Sequence, residues 1–355
     1  MQPFVYNSHP GRVLFGTGTL SRLPEEIDRL GCKRVLILST PGKQSQAQAL
    51  AESLPQRSAG VFAGATVHTP VAVTEKALSV VTQLQADGVL AVGGGSTIGL
   101  AKAIALRTDL PQIVIPTTYA GSEMTPILGQ TEQGTKTTLT HARVLPEVAL
   151  YDVELTLTLP VSISGTSGLN AIAHAVEALY ARERNPLTSL VAIEAIGALT
   201  RALPRIAAEP LDRAARTEAL YGAWLCGICL ATVGMALHHK LCHTLGGTFD
   251  LPHAETHAIV LPHALAYNAP AAPDAIAQLR VVLGEDPVQA LFDLAGAVGA
   301  TRGLRDLGMP KAGIDDAARR ALANAYWNPR PLEFEAIRAL IARAWEGQPP
   351  GDLPQ

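Results

Sequence analysis

Short apolar runs alternate with longer amphipathic segments over the first 150 residues. The runs at Val35–Leu38, 89–92 and 113–115 have the length of buried strands, and Pro116 ends the last of them. Helix-length segments separate these runs, and strands that alternate with helices indicate a parallel sheet covered on both faces. The pattern also predicts helices up to residue 54, over 73–84 and over 96–106, strands at 61–62 and 148–151, and a hairpin that includes 136–140.

The pattern changes after Asp152. Residues 155–160 are a plausible hinge, and beyond them apolar residues recur at helical spacing in segments rich in alanine and leucine. The sequence therefore predicts two domains, an α/β domain of residues 1–158 and an all-helical domain of residues 159–355. Within the second domain, helices are predicted over 171–182, 187–203, 213–237 and 288–298.

Composition and charge exclude several classes of protein. The 355 residues are 48% hydrophobic and 17% charged with a net charge of −3, which excludes a disordered chain and argues against a nucleic-acid partner. Residues 219–237 carry no formal charge, but we interpret them as a buried central helix and expect no membrane partner. We expect the protein to be located in the reducing cytoplasm, because no secretory signal is visible. Cys226 and Cys229 fit core positions better than a redox pair or half a zinc site.

A glycine turn follows one of the predicted strands directly. Gly93, Gly94, Gly95 and Ser96 lead into a helix, and glycines at such a turn let backbone N–H groups approach a phosphate. The alternative is a tight turn capped by Ser96. Thr117, Thr118 and Ser122 follow the next strand at its carboxyl end, where open α/β sheets bind ligands. The two loops predict a dinucleotide crevice.

Histidines concentrate in the helical domain. Six of the ten lie between 237 and 263, and His239 and His243 share a helix face at i,i+4 spacing, as do Asn170 and His174. Both pairs lie on otherwise apolar helices, so their polar groups need partners. The cluster predicts a cleft site of metal ligands, proton donors or an anion pocket, and satisfied core histidines are the alternative.

Together these motifs resemble the iron-containing alcohol dehydrogenase family, which shares its architecture with dehydroquinate synthase. The resemblance implies an α/β NAD(P)-binding domain followed by an all-α substrate domain. It implies NADH or NADPH contacts at Gly94, Gly95, Ser96, Thr117, Thr118, Ser122 and Lys136, although a solvated surface lysine is the alternative at the last position. The matching motifs are Phe15-Gly-Thr-Gly18, Gly93–Ser96, Pro116-Thr-Thr…Gly121-Ser-Glu123, Asn170-x-x-x-His174-x-x-Glu177, His239-x-x-x-His243-x-Leu-Gly246, Pro252-His253 and Leu261-Pro-His263.

Two departures from the family pattern concern the metal and the cofactor. The family's metal positions map onto Asn170, His174, His239 and His253, but the first of these is usually an aspartate. An amide is a poor ligand for a divalent transition metal, so we expect no metal, with the three histidines as residual candidate ligands. The helix after the glycine turn usually carries an aspartate where this chain has Gly99.

This pattern resembles the maleylacetate reductase branch of the family. That resemblance implies NAD(P)H-dependent reduction of the carbon–carbon double bond of maleylacetate to 3-oxoadipate in the degradation of aromatic compounds. A conjugate reduction needs hydrogen-bond donors at the ketone oxygen. We assign this role first to His243, beside the nicotinamide, then to His239 and His253, with Asn170 and His174 orienting the substrate.

The substrate is a small dicarboxylate, for which Lys240 and Arg330 are candidate partners, with exposed surface charges as the alternative. Thr40 stands where a ribose-binding acid would repel a 2′-phosphate, so we expect both NADH and NADPH to be accepted. A homodimer is expected, in which residues 3–6 and 12–15 could pair across the two copies. Three other functions stay open: a metal-dependent alcohol or polyol dehydrogenase of the same family, a metal-dependent lyase or hydrolase that uses the histidines, and an inactive nucleotide-binding protein.

Overall fold

The computed structural model describes residues 4, 6, 9, 11–133 and 135–351, apart from the side chains of residues 135 and 136. The chain divides into two compact units between Thr158 and Leu159. The first is an α/β domain and the second is a helical domain.

The α/β domain contains a six-stranded parallel sheet and a separate two-stranded antiparallel hairpin. The sheet strands are β1 (Arg12–Gly16), β2 (Val35–Leu38), β3 (Ser58–Phe62), β4 (Gly88–Gly93), β5 (Gln112–Pro116) and β8 (Val148–Asp152), and the hairpin is β6 (Ile127–Glu132) with β7 (Thr135–Thr140). The helices are α1 (Leu23–Arg29), α2 (Gln44–Glu52), α3 (Val71–Leu84) and α4 (Gly95–Thr108). These elements confirm the predicted alternation, including the hairpin.

The sheet order is β1-β8-β5-β4-β2-β3. All residues of β2, β5 and β8 are buried, as expected for parallel strands that are covered on both faces. The chain continues from β2 to one side of the sheet and from β4 to the other side, so the strand order reverses between these two strands. Open sheets bind ligands outside the carboxyl ends of the strands at such a reversal. In this domain that position is flanked by Thr40 and Gly94.

The described part of the second domain is helical apart from loops and short 3₁₀ turns. The side chains of α5 are buried without interruption from Ser164 to Tyr180, which makes it the central helix of this domain. The helices are α5 (Val161–Tyr180), α6 (Pro186–Ala208), α7 (Arg213–Thr232), α8 (Leu237–Phe249), α9 (His253–Asn268), α10 (Pro273–Leu283), α11 (Pro287–Ala297), α12 (Ile314–Leu322) and α13 (Phe334–Glu346).

The prediction of one continuous helix over 213–237 is wrong. Helix α7 ends at Thr232, and α8 starts at Leu237 after a bend of 95°. The backbone at Val233 is extended, and the Ala236 N–H donates to the buried carboxylate of Glu177 at 2.8 Å. A carboxylate from α5 therefore accepts from a backbone N–H at the start of α8, which periodicity along 213–237 cannot show.

Among the helices that the structure describes, α6 is long and apolar enough by length and composition to cross a membrane. Half of its most apolar window is buried inside the domain, as in the core helix of a globular protein, so this is weak evidence for a span. Cys226 and Cys229 are both buried and free, which agrees with their interpretation as core residues.

The predicted pairing of N-terminal strands across a dimer is untested. Of residues 3–6, the structure describes Phe4 and Tyr6 alone, and the other two lie outside the described residues. Residues 12–15 form part of β1, which pairs with β8 inside the same sheet. The dimer therefore stays a prediction.

Candidate active site

The glycine turn lies between β4 and α4. Gly93 has a φ of 154°, and a Cβ at this position would lie 2.5 Å from the hydroxyl of Thr97. Gly94, not Ser96, is the N-cap of α4, and it has no side-chain cap, so the alternative of a turn capped by Ser96 is not what the structure shows. A Cβ on Gly95 would meet nothing within 4 Å. The turn therefore leaves open space at the first N–H groups of a helix, where a phosphate binds favourably.

The threonine loop lies directly beside this turn. The N–H of Thr117 donates to the carbonyl of Gly93 at 3.0 Å, and a Cβ on Gly94 would lie 2.9 Å from the side chain of Thr118. The hydroxyl of Ser122 is buried and has no partner among the described atoms. The structure thus brings together the two loops that the sequence analysis selected.

A buried lysine holds the second loop and was missed from the sequence. The ammonium of Lys102 on α4 donates to the carbonyls of Ser122, Thr125 and Ile127, the last two at 2.8 and 2.9 Å. Burial lowers the pKa of Lys102 to about 7, and the nearby Glu123 carboxylate opposes this shift. The signal was a single lysine within the otherwise apolar stretch 100–106.

Because Gly99 has no side chain, the loop before α3, which contains Thr69, can lie close to α4. A Cβ at this position would lie 2.4 Å from the hydroxyl oxygen of Thr69. Thr69 is buried and, like His68, has a left-handed backbone conformation. A side chain at position 99 would therefore require the loop before α3 to move.

Two further cofactor candidates lie at the edges of this region. Thr40 follows β2 and is the N-cap of a short 3₁₀ turn over Pro41–Lys43. Lys136 pairs with Thr131 in the β6–β7 hairpin, but its side chain lies outside the described residues. The cofactor roles of both residues stay predictions.

In the helical domain, six histidines from α5, α8 and α9 lie in one cluster, and one of them, His238, lies 4.8 Å from His257 between ring centroids. The rings of His174 and His239 stack with centroids 5.0 Å apart, and those of His239 and His257 are also 5.0 Å apart. His253 lies 4.2 Å from His257 and 6.4 Å from His243, again between ring centroids. The structure therefore brings together the predicted histidines His174, His239, His243 and His253, and it adds His238 and His257, which were not candidates.

Glu177 on α5 connects the start of α8 to one histidine of this cluster. Its fully buried carboxylate accepts hydrogen bonds from the N–H groups of Ala236 and His238 and from Nδ1 of His239, at 2.7 to 2.8 Å. An ionised carboxylate accepts only, so Nδ1 of His239 carries its proton toward Glu177. In a neutral ring, Nε2 of His239 is then an acceptor. The sequence analysis quoted Glu177 within a motif but gave it no role.

Several buried polar atoms in the cluster have no partner among the described atoms. They are Oδ1 of Asn170, Nδ1 of His174, Nε2 of His239 and Nε2 of His257. Burial lowers the pKa of His174 and His257, as do the neighbouring histidines, which favours neutral rings. Buried polar atoms in native proteins are normally hydrogen-bonded, so this group fits a ligand that supplies the missing partners.

The residues at the family's metal positions form a weaker ligand set for a divalent transition metal than a set that includes an aspartate. In the described part of the chain, His238, Cys242 and His257 are the one group of three or more such residues whose ligand atoms all lie within 4.8 Å of one another. His238 and His257 are already hydrogen-bonded to each other at 3.0 Å, and burial raises the pKa of the Cys242 thiol well above its usual value. The family's positions instead combine the neutral amide of Asn170 with an exposed His253, and they include no carboxylate.

His243 has a partner that sequence reasoning missed. Its Nδ1 lies 3.0 Å from the hydroxyl of Tyr326, which is distant in sequence and follows α12. The ammonium of Lys240 lies 5.8 Å from the centre of the Tyr326 ring. Lys240 is therefore close to the cluster, where a carboxylate of a substrate would need a positive charge.

Arg330 makes contacts of a different kind. Its guanidinium lies 4.3 Å from the ring centre of Tyr267 and donates to the carbonyl of the same residue at 3.1 Å. These contacts hold the chain after α12 against α9. They favour a structural role, and the predicted contact of Arg330 with a substrate stays untested.

Comparisons with known proteins cover nearly the whole chain. Residues 10–153 match the family described as iron-containing alcohol dehydrogenase, and residues 164–345 match the C-terminal part of the Fe-containing alcohol dehydrogenase family. A maleylacetate reductase from Rhizobium sp. (strain MTP-10005) is 58% identical, and the match covers 99% of this chain and 100% of that protein.

Two solved structures are similar over 99% of this chain and 100% of their own. The structure of maleylacetate reductase from Agrobacterium tumefaciens has a TM-score of 0.95 at 56% identity. A putative alcohol dehydrogenase from Ralstonia eutropha JMP134 has a TM-score of 0.97 at 55% identity. These matches confirm the predicted pair of an α/β domain and a helical domain, and they identify an oxidoreductase. The chain belongs to the iron-containing alcohol dehydrogenase family.

Proposed function

We propose that this protein uses NADH or NADPH to reduce the carbon–carbon double bond of maleylacetate, giving 3-oxoadipate, in the degradation of aromatic compounds. The observation that carries the proposal is the buried group of polar atoms on Asn170, His174 and His239 that have no partner among the described atoms and to which no carboxylate oxygen belongs. Asn170 replaces the aspartate that the family usually has at this position, and the loss of that negative charge favours an anionic substrate over an alcohol bound to a cation. High identity to maleylacetate reductases over almost the full chain supports the same substrate.

The reaction sets clear requirements for the site. Bound NADH or NADPH supplies a hydride, which adds to the alkene carbon β to the ketone. Negative charge then develops on the ketone oxygen, and a proton adds to the α carbon to complete the reduction. Donors aimed at the ketone oxygen stabilise the charge as it forms, and a histidine titrates near neutral pH and can supply the proton.

We assign the donor role to His243 first and to His253 second. His239 is a weaker candidate than the sequence analysis suggested, because Glu177 takes its Nδ1 proton and leaves an acceptor at Nε2 in the neutral ring. Asn170 and His174 would orient the substrate through hydrogen bonds. Lys240 would pair with one of the substrate's carboxylates.

The cofactor assignment rests on the α/β domain. Gly94, Gly95 and Ser96 would bind the pyrophosphate through backbone N–H groups, while Thr117, Thr118 and Ser122 line the neighbouring loop. Neither Thr40 nor the 3₁₀ turn that follows it carries an acid that would repel a 2′-phosphate. We therefore propose that both NADH and NADPH are accepted. A cytoplasmic location and a homodimer complete the proposal.

The test is NADH oxidation with maleylacetate in the presence of a strong chelator. We expect fast turnover, because the proposed mechanism needs no metal. Failure with maleylacetate, together with zinc- or iron-dependent oxidation of a simple alcohol by NAD⁺, would overturn the proposal in favour of a metal-dependent alcohol dehydrogenase. His243→Ala should lose most turnover while it still binds NADH, and near-normal turnover in this variant would remove His243 from the mechanism.

A further inference from the structure

We propose that Tyr326 is a positioning residue, which fixes the tautomer of His243 so that Nε2 presents its proton to the substrate. This inference rests on the proposed function. The hydroxyl of Tyr326 lies 3.0 Å from Nδ1 of His243, and the two rings meet edge to face at 75°. The contact engages Nδ1, so the position of the ring proton on His243 depends on which of the two groups donates.

The direction of this hydrogen bond follows from the chemistry of the two groups. Burial and the charge of Glu177 raise the pKa of Tyr326 above its usual value, so its hydroxyl keeps its proton at neutral pH. A phenol is a stronger proton donor than a neutral imidazole N–H, and an imidazole nitrogen is a stronger base than a phenol oxygen. The hydroxyl therefore donates to Nδ1, and the ring proton of His243 resides on Nε2.

The segment that carries Tyr326, residues 323–331, is held firmly on both α8 and α9. The side-chain amides of Asn328 and Asn268 form two reciprocal hydrogen bonds at 2.7 and 2.9 Å. Oδ1 of Asn328 also accepts from the N–H of Leu237, the first residue of α8, at 3.3 Å. Arg330 adds its contacts with Tyr267. The hydroxyl of Tyr326 is thus placed by a segment fixed to the two helices that carry the histidines.

His239 and His243 differ in the group that faces Nδ1 of each ring. His239 lies one helical turn before His243, and its Nδ1 faces a carboxylate, which can only accept. His243 faces a hydroxyl that donates. As neutral rings, these neighbouring histidines on one helix face present opposite functions at Nε2, an acceptor on His239 and a donor on His243. The reduction needs that donor at the ketone oxygen.

The test combines kinetics with the variant Tyr326→Phe, which removes the hydroxyl and keeps the ring. With maleylacetate as substrate, we expect kcat to fall about 10- to 100-fold, as is typical when the partner that orients a functional histidine is removed. The NADH dissociation constant should not change. Trp327→Phe on the same segment is the matched control and should keep wild-type kcat. An unchanged kcat in Tyr326→Phe would overturn the proposal, and so would a rise in KM alone, which would indicate direct substrate binding.

Nitrogen-15 NMR of the histidine rings provides a second readout that does not depend on turnover. In the otherwise unchanged protein, the signals of His243, assigned by their loss in His243→Gln, should show a proton on Nε2 and none on Nδ1. In Tyr326→Phe this preference should weaken or reverse. A proton on Nδ1 of His243 in the unchanged protein would overturn the inference. If the protein fails to reduce maleylacetate but shows the expected tautomer, the proposed function fails and the positioning role of Tyr326 stands.

Discussion

In the α/β domain a buried lysine holds the loop that follows β5, whereas in the helical domain a buried glutamate holds the start of α8 and one histidine. Lys102 donates to three backbone carbonyls of the segment that follows β5. Glu177 accepts from two backbone N–H groups at the start of α8 and from one histidine ring. Both side chains are almost completely buried, at 1% and 0% exposure.

The difference in sign follows from the backbone groups that each site leaves unpaired. The segment around Ser122 turns its carbonyls inward, and a buried carbonyl needs a donor. Helix α8 begins inside the domain, and the first N–H groups of a helix have no partner within the helix. A lysine supplies donors in the first case and a glutamate supplies acceptors in the second. A buried lysine therefore marks a place where backbone carbonyls lack partners, and a buried glutamate marks a place where backbone N–H groups lack them.

The largest expected effect is the loss of the Glu177 acceptors. Glu177→Leu keeps a similar volume but leaves two buried N–H groups and a histidine without their partner. We expect the free energy of unfolding of the helical domain to fall by about 3–5 kcal/mol. Denaturant titration followed by hydrogen exchange measures this. Glu218→Leu on α7 removes a carboxylate that pairs with surface arginines and should cost at most about 1 kcal/mol. Equal costs in the two variants would refute the comparison.

Removal of Lys102 should affect the other domain. Lys102→Met leaves the carbonyls of Ser122, Thr125 and Ile127 without their donor, so we expect the α/β domain to lose about 2–3 kcal/mol of stability. The NADH dissociation constant should rise, because the Ser122 loop is no longer fixed. Lys76→Met, at an exposed lysine of α3, should leave both quantities unchanged. Calorimetry and NADH titration of the two variants would decide, and tight NADH binding by Lys102→Met would contradict the role given to this lysine.

Acid should act on the helical domain rather than on the α/β domain. Burial, together with the charge of Arg343, lowers the pKa of His263 from 6.5 to about 4. The unfolded chain then binds the proton more readily than the folded one, so stability is complete above pH 6.5 and is lost as the pH falls toward 4. Between pH 7 and pH 5 this loss is about 2 kcal/mol. None of the three histidines in the α/β domain, all within the described part of the chain, is buried.

Unfolding of the helical domain at the two pH values measures this effect. His263→Leu should reduce the pH dependence by the same amount. A variant with the original pH dependence would show that His263 is not responsible.

The smallest effect concerns backbone approach rather than buried charge. In Gly99→Ala the added methyl group would meet the hydroxyl of Thr69 at 2.4 Å, so we expect about 1 kcal/mol of destabilisation and weaker NADH binding. The double variant with Thr69→Ala removes the obstructing atoms and should restore both. Thermal unfolding and NADH titration of the single and double variants test this, and a double variant no better than Gly99→Ala would exclude the clash as the cause.

Sequence reasoning succeeded where the placement of a residue depends on local spacing. The glycine turn and the threonine loop each follow a recognisable strand, and His239 and His243 are one helical turn apart. It failed where the determining partner is distant, because Tyr326 lies 83 residues from His243 and Glu177 lies 62 residues from His239. The bend after Thr232 was missed for the same reason. Hydrophobic periodicity reports the face of a helix but carries no information about which distant side chain accepts from its first N–H groups.

The segment from 323 to 331 separates what must be conserved from what is free to change. Asn328 and Arg330 hold it in place, while Tyr326 and Trp327 are 36% and 41% exposed. Substitutions at Trp327 alter the surface near the histidines at little cost to folding, because the fixing contacts lie at Asn328 and Arg330. Laboratory libraries therefore have a tolerant place at residues 325 and 327 in which to change substrate range, whereas position 326 must keep the hydroxyl that contacts His243.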